Sequence, residues 1–178
     1  MATEKAYFAT GCFWCTEAIF QKLKGVIRVT PGYSGGEVAD PTYEEVCTGT
    51  TGHAECIEIE FNPEAISYSQ LLEIFWYTHD PTTLNRQGND IGTQYRSAIF
   101  FLNETQREQA EQSKQALESS HTYDSPIVTE ITQFEKFYPA EDYHKDYFTR
   151  NPDQGYCQVV IAPKVAKLRN KYIQLLTK

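Results

Sequence analysis

Residues 5–25 read KAYFATGCFWCTEAIFQKLKG, a strand, a glycine and a helix in succession. Lys5 to Thr10 is a short apolar run ending at Gly11, the pattern of a buried strand. Thr16 to Lys24 places Ala18, Ile19, Phe20 and Leu23 at helical spacing, and Gly25 stands where a helix C-cap belongs. Gly11 frees the backbone for a sharp strand-to-helix turn, which sets Cys12 at or next to the N-cap. A thiol there meets the unpaired N–H groups and the positive dipole end of the helix, and both favour thiolate. Phe13 and Trp14 are good walls for a small apolar group. Cys15 lies about one turn further on, within disulfide reach of Cys12 if the backbone permits.

The rest of the chain continues the alternation. Val26 to Thr30 is β-branched and reads as a strand broken by Pro31-Gly32, and a Gly-, Thr- and Asp-rich loop follows from Tyr33 to His53. Glu55 to Phe61 alternates, with Ile57, Ile59 and Phe61 on one face and Cys56, Glu58 and Glu60 on the other. Ser67 opens a helix with Gln70 in the capping-box position. A second long loop runs from His79-Asp80-Pro81 to Gln94 and ends in a strand from Tyr95 to Leu102. Asn103 caps a polar helix reaching Ser120, and Ile127 to Phe134 is a further strand. Glu141 to Arg150 reads as a short helix, Cys157 to Ile161 as a strand, and Pro163 starts a terminal helix. These elements predict a single α+β domain over 1–178, a mixed sheet with helices packed on it. Loops longer than about 15 residues in a compact domain tend to be functional.

Composition narrows the function. The net charge is −8 and no dense basic run occurs, which excludes nucleic acid as an expected partner. No apolar run approaches the roughly 20 residues of a membrane span, so no membrane partner is expected. The polar start Met1-Ala2-Thr3-Glu4-Lys5 leaves no room for a signal sequence, so a cytoplasmic location and a monomer are the expectations. Five cysteines at irregular spacing argue against a secreted disulfide framework, leaving core filler, metal ligands or redox catalysts. Zinc would call for a second close pair, yet Cys47, Cys56 and Cys157 form none and the four histidines stand apart. No metal and no cofactor are expected.

Gly11-Cys12-Phe13-Trp14 is joined by Thr51-Gly52-His53-Ala54-Glu55, by Gln87-Gly88-Asn89-Asp90 running into Gly92-Thr93-Gln94-Tyr95-Arg96-Ser97, by Tyr143-His144-Lys145-Asp146-Tyr147 and by Gly155-Tyr156-Cys157. In this order and spacing the motifs resemble the signatures of the peptide methionine sulfoxide reductase A family, from about Ala6 to Val160. The resemblance implies a two-layer sandwich with a ferredoxin-like core. It implies reduction of the S epimer of methionine sulfoxide, free or protein-bound, with thioredoxin as reductant. Cys12 is then the nucleophile, Glu55 the proton donor helped by Tyr43 and Tyr95, and Phe13 and Trp14 the methyl pocket. Asp90 either supports substrate or stabilises its turn, while His144 and Tyr147 hold the rim and the substrate backbone. A Cys12 sulfenic acid would condense with a second thiol. Cys157, whose motif is intact, is the first choice, with Cys15 a direct competitor or relay partner. Cys47 and Cys56 match no catalytic position of the family. Two rivals remain open, a general thiol–disulfide oxidoreductase using Cys12 and Cys15, and a zinc-stabilised binding module.

Overall fold

The computed structural model describes residues 2–177. Strands β1 (Glu4–Thr10), β2 (Val26–Ser34), β3 (Ala54–Phe61), β6 (Ser97–Phe101), β7 (Glu130–Gln133) and β8 (Phe137–Pro139) form one sheet in the order β7-β6-β1-β3-β2-β8. The β6–β7 pair is parallel and the other neighbours are antiparallel, so the sheet is mixed. Helices α1 (Phe13–Phe20), α3 (Tyr68–Tyr77) and α6 (Ala162–Tyr172) share one apolar cluster with Phe8, Ile57, Ile59 and Ile99 of the sheet. Each such aromatic or branched side chain removed from water stabilises the fold by about 1.5–3 kcal/mol. The opposite residues of the same strands, Tyr7, Ala9, Cys56, Ala98 and Phe100, make a smaller cluster under Phe134 and Phe137. Cys56 thus lies on the face away from Ile57 and Ile59, as the alternation predicts.

Helix α3 starts on the expected Ser67–Gln70 capping box, and α4 (Glu104–Ser119) on the Asn103 cap. Other expectations need correction. The strand beginning at Val26 does not break at Pro31-Gly32 but continues to Ser34. On its outer side β8 pairs only with Gly32, Tyr33 and Ser34, so a proline just before that stretch is tolerated as at a sheet edge. Gly32 is required, because a Cβ there would run into the Phe137 ring and the Tyr138 carbonyl. The strand expected from Tyr95 begins at Ser97, after a 3-10 turn over Thr93–Tyr95. Helix α1 ends at Phe20, four residues early. Leu23 leaves it to bridge Leu176, with Lys24 N–H donating to Leu175 O (2.7 Å) and Thr177 N–H to Lys22 O (2.8 Å).

The Cys157–Ile161 strand is overturned outright, since the segment is wound as a π-helix running into α6. Cys157 and Ile161 are buried while Val159 is 75% exposed, a helical burial pattern in a β-branched segment. Packing against the core outweighs local propensity here. Expected helix 141–150 splits into a 3-10 turn, Asp142–His144, and the short α5, Tyr147–Arg150. Both long loops contain structure. The first holds α2 (Tyr43–Cys47), and the second a small hairpin of β4 (Arg86–Gln87) and β5 (Asp90–Ile91). No described helix is long and apolar enough to cross a membrane.

Candidate active site

Cys12 is the N-cap residue of α1, with extended backbone angles (φ −61°, ψ 123°), and only 8% exposed. Gly11 before it has φ +113° and packs on Gln87, so the turn out of β1 tolerates no side chain. The Cys12 carbonyl accepts from Cys15 N–H (3.1 Å) and Thr16 N–H (3.3 Å), starting the helix. The side chain makes no cap bond, and Cys15 follows one turn on with its N–H on the Cys12 carbonyl. Burial pushes the Cys12 thiol well above its ordinary value, reinforced by the neighbouring Cys15 thiol and by the Glu55 charge. The Cys12 thiol in turn lowers Cys15, against the raising effect of burial. The helix end alone therefore does not make Cys12 a ready thiolate, since desolvation outweighs the dipole. The two thiols form one proton-sharing unit.

Glu55, near the start of β3 opposite Tyr33, is 1% exposed. Its Oε1 accepts the Phe13 N–H at 3.0 Å, one of the free donors at the start of α1. Its Oε2 is buried without a hydrogen-bond partner among the described residues. Burial pushes the carboxyl up to about 8, against the lowering effect of the Phe13 bond. A neutral Glu55 accepts through Oε1 and carries its proton on the free Oε2. Burial, then the Glu55 charge, also raises the hydroxyls of Tyr43 and Tyr95, so both stay protonated donors beside this carboxyl.

Aromatic rings close the site. Phe13 is fully buried and packs on Tyr33, Tyr43 and His144. Trp14 stacks flat on Tyr147 (3.8 Å between centroids, 5° between planes) and meets Tyr156 edge-on. Its indole N–H donates to His144 Nδ1 at 2.9 Å. Burial lowers His144, so the neutral ring keeps its hydrogen on Nε2, which is buried and unpartnered. The segment carrying His144 is anchored at its start by Glu141, which accepts from Tyr33 OH (2.9 Å) and from Tyr43 N–H (2.9 Å).

Cys12, Phe13, Trp14, Tyr43, Glu55, Tyr95, His144 and Tyr147 are thus brought together. Asp90 joins them through Tyr156, whose hydroxyl donates to Asp90 Oδ2 at 2.7 Å and lies 3.9 Å from Cys15 Sγ. Tyr156 was missed as a site residue, although it sits inside the Gly155-Tyr156-Cys157 motif. Glu141 was missed as well and had no motif of its own. Cys157 is fully buried, and burial, then the Cys15 charge, raises its thiol. Cys47 is exposed at the end of α2. Among the described residues no three His, Cys, Asp or Glu side chains gather as a metal site.

A thiol-bearing helix end, a raised carboxyl and an aromatic cage are the parts that sulfoxide reduction calls for. The family model that matches the chain, over residues 4–176, is described as peptide methionine sulfoxide reductase. The chain belongs to that family. Its reductase relatives include the MsrA of Chromobacterium violaceum, 53% identical over 173 residues, 97% of this chain and 98% of the relative. The MsrA of Picrophilus torridus is 55% identical over 166 residues, 93% of each chain. Among solved structures, Mxr1 from Saccharomyces cerevisiae in reduced form has a TM-score of 0.81 and 33% identity, covering 87% of this chain and 89% of its own. Mxr1 in complex with Trx2 shares the fold at a TM-score of 0.59 and 24% identity, over 82% and 84% of the two chains.

Proposed function

We propose that this reductase converts the S epimer of methionine sulfoxide, free or within peptides and proteins, to methionine at Cys12, and that thioredoxin recycles it. The observation carrying the reading is Glu55, a buried carboxyl near pH 8 with Oε1 held by the first N–H of the Cys12 helix and Oε2 free. A sulfoxide oxygen cannot leave its sulfur without a proton, and a neutral Glu55 has one to give. Tyr43 and Tyr95 hydroxyls hold that oxygen as it gains charge. Phe13 and Trp14 enclose the S-methyl group, while His144, Tyr147 and the Asp90–Tyr156 pair line the rim.

The Cys12 sulfur attacks the sulfoxide sulfur as its proton passes to Cys15, and Glu55 protonates the oxygen. Collapse breaks the substrate S–O bond and the new Cys12–substrate S–S bond and forms an S–O bond on Cys12, leaving a sulfenic acid. The substrate sulfur gains two electrons, Cys12 loses two, and methionine leaves. A neighbouring thiol then condenses with the Cys12 sulfenic acid, forming an S–S bond, breaking the Cys12 S–O bond and releasing water with the thiol's proton. Cys15, one turn along α1 with its N–H on the Cys12 carbonyl, is assigned this step ahead of Cys157, the preference from sequence. Cys157, fully buried but close to Cys15, is assigned the second place in a relay. A dithiol donor completes the cycle, and the yeast protein solved with Trx2 supports thioredoxin in that role.

The whole of 1–178 is read as one reductase domain. The central order β6-β1-β3-β2, with α1 and α3 between successive strands, supports a ferredoxin-like core with helices as the second layer. The free cysteines fit a reducing cytoplasm, with the enzyme acting as a monomer.

Single-turnover assays on resolved epimers, without added reductant, test this. Wild type should yield methionine from the S epimer only and lose the Cys12 and Cys15 thiols. Cys12→Ser should yield none. Cys15→Ser should still yield methionine but leave a sulfenic acid that a dimedone probe traps. Absence of product from wild type, or full activity in Cys12→Ser, refutes the proposal.

A further inference from the structure

Glu17 belongs to none of the motifs above, yet it is charged, 2% exposed and three residues beyond Trp14 on α1. Its Oε2 accepts the Asp146 N–H at 3.0 Å, and the Tyr147 N–H also favours its ionised form. Asp146 has left-handed backbone angles (φ 56°, ψ 32°) and precedes α5, which has no side-chain cap of its own. The Glu17 carboxyl therefore takes the N-cap N–H of α5 from another helix, the donor that the N3 side chain takes in a capping box. Tyr147, the first residue of α5, is the ring stacked on Trp14. Burial raises Glu17 to about 7 against the lowering effect of the Asp146 N–H bond, while the Asp146 charge adds to the rise and Arg150 opposes it. Such a cost is tolerated in a core where the carboxyl has a positional task.

We propose that Glu17 is a positioning residue of the reductase, holding the Asp146–Tyr147 backbone so that the Tyr147 ring lies flat on Trp14 and completes the substrate pocket. Glu17 touches neither the nucleophile nor the proton donor. Its loss therefore weakens substrate binding and leaves the chemical step nearly intact. The binding effect rests on the reductase reading, but the Trp14–Tyr147 geometry does not.

The chain has two tryptophans, and Trp76 donates to Ser113 on α4, so Trp76→Phe leaves Trp14 as the only indole reporter. In that background, Glu17→Ala should shift Trp14 emission to the red and raise its acrylamide quenching, both measured without substrate. Losing a bond to a charged acceptor predicts a KM for a peptide sulfoxide raised about tenfold, with kcat within about twofold. Glu17→Gln keeps an acceptor of the same length and should restore both readouts. Unchanged emission in Glu17→Ala, or Glu17→Gln behaving like Glu17→Ala, overturns the proposal. Should Glu17→Ala not fold, Glu17→Asp replaces it. One methylene too short to reach Asp146, it should show the same red shift and KM rise, and wild-type emission in it overturns the proposal. An enzyme inactive on sulfoxides would refute the reductase reading while leaving the emission test standing.

Discussion

At the scale of single residues, Glu55 joins reactivity to instability. The folded protein holds its proton up to about pH 8, whereas an ordinary glutamic acid loses it near 4.5. Between those values the folded state binds more protons than the unfolded chain, so stability falls as pH rises through the window. Glu55→Gln should therefore unfold at a higher temperature than wild type at pH 8, the difference vanishing below pH 4.5, as calorimetry at several pH values would show. Activity should move the other way. Wild-type single-turnover rate should fall above about pH 8, and Glu55→Gln should lose that alkaline limb along with a factor of about 10²–10⁴ in rate. A variant with wild-type rate would remove proton donation from the mechanism.

Among elements, α2 shows how a five-residue helix can hold the Tyr43 hydroxyl beside Glu55. Thr42 accepts the Glu45 N–H (3.2 Å), Glu45 accepts the Thr42 N–H (3.1 Å), and Glu141 holds Tyr43 N–H. Thr42→Ala should cost about 1 kcal/mol in urea unfolding, and it should slow single-turnover reduction because Tyr43 begins this helix. From sequence this segment falls in the Tyr33–His53 loop, because its Gly- and Thr-rich surroundings hide the capping-box spacing of Thr42 and Glu45. Elements whose burial follows from local periodicity, β1, β3, α3 and α4, were readable within a few residues. The segment around Cys157 was not, because Val159, Val160 and Ile161 favour a strand and only contacts with α1 and α6 wind them into a helix. The site divides in the same way. Cys12, Glu55 and the flanking aromatics could be found from motifs, while Glu17 and Glu141 act through backbone N–H groups more than 95 residues away and leave no pattern in sequence.

At the scale of the whole molecule, buried polar groups set the response to acid. His79 Nδ1 donates to the Phe75 carbonyl (2.7 Å), and its Nε2 accepts from Ser97, which also bonds Thr129. Burial lowers its pKa to about 4, against an ordinary 6.5, so the unfolded chain binds the extra proton in between. The stability from a neutral His79 is complete above pH 6.5 and is lost as pH falls towards 4, of the order of 3 kcal/mol in all. Urea midpoints for wild type and His79→Gln should therefore converge between pH 6.5 and 4. Constant separation would exclude His79 as the acid-sensitive group. The contacts that C-terminal segments make with α1 and the turn after it have a consequence in time. Glu17 meets Asp146 across 129 positions, Trp14 meets His144 across 130, and Lys22 receives Thr177 across 155. A ribosome delivers the chain from its first residue onward. The thiols of Cys12 and Cys15 thus emerge long before the segments that cage them, and a nascent chain carries two ordinary, unprotected cysteines until translation is almost done.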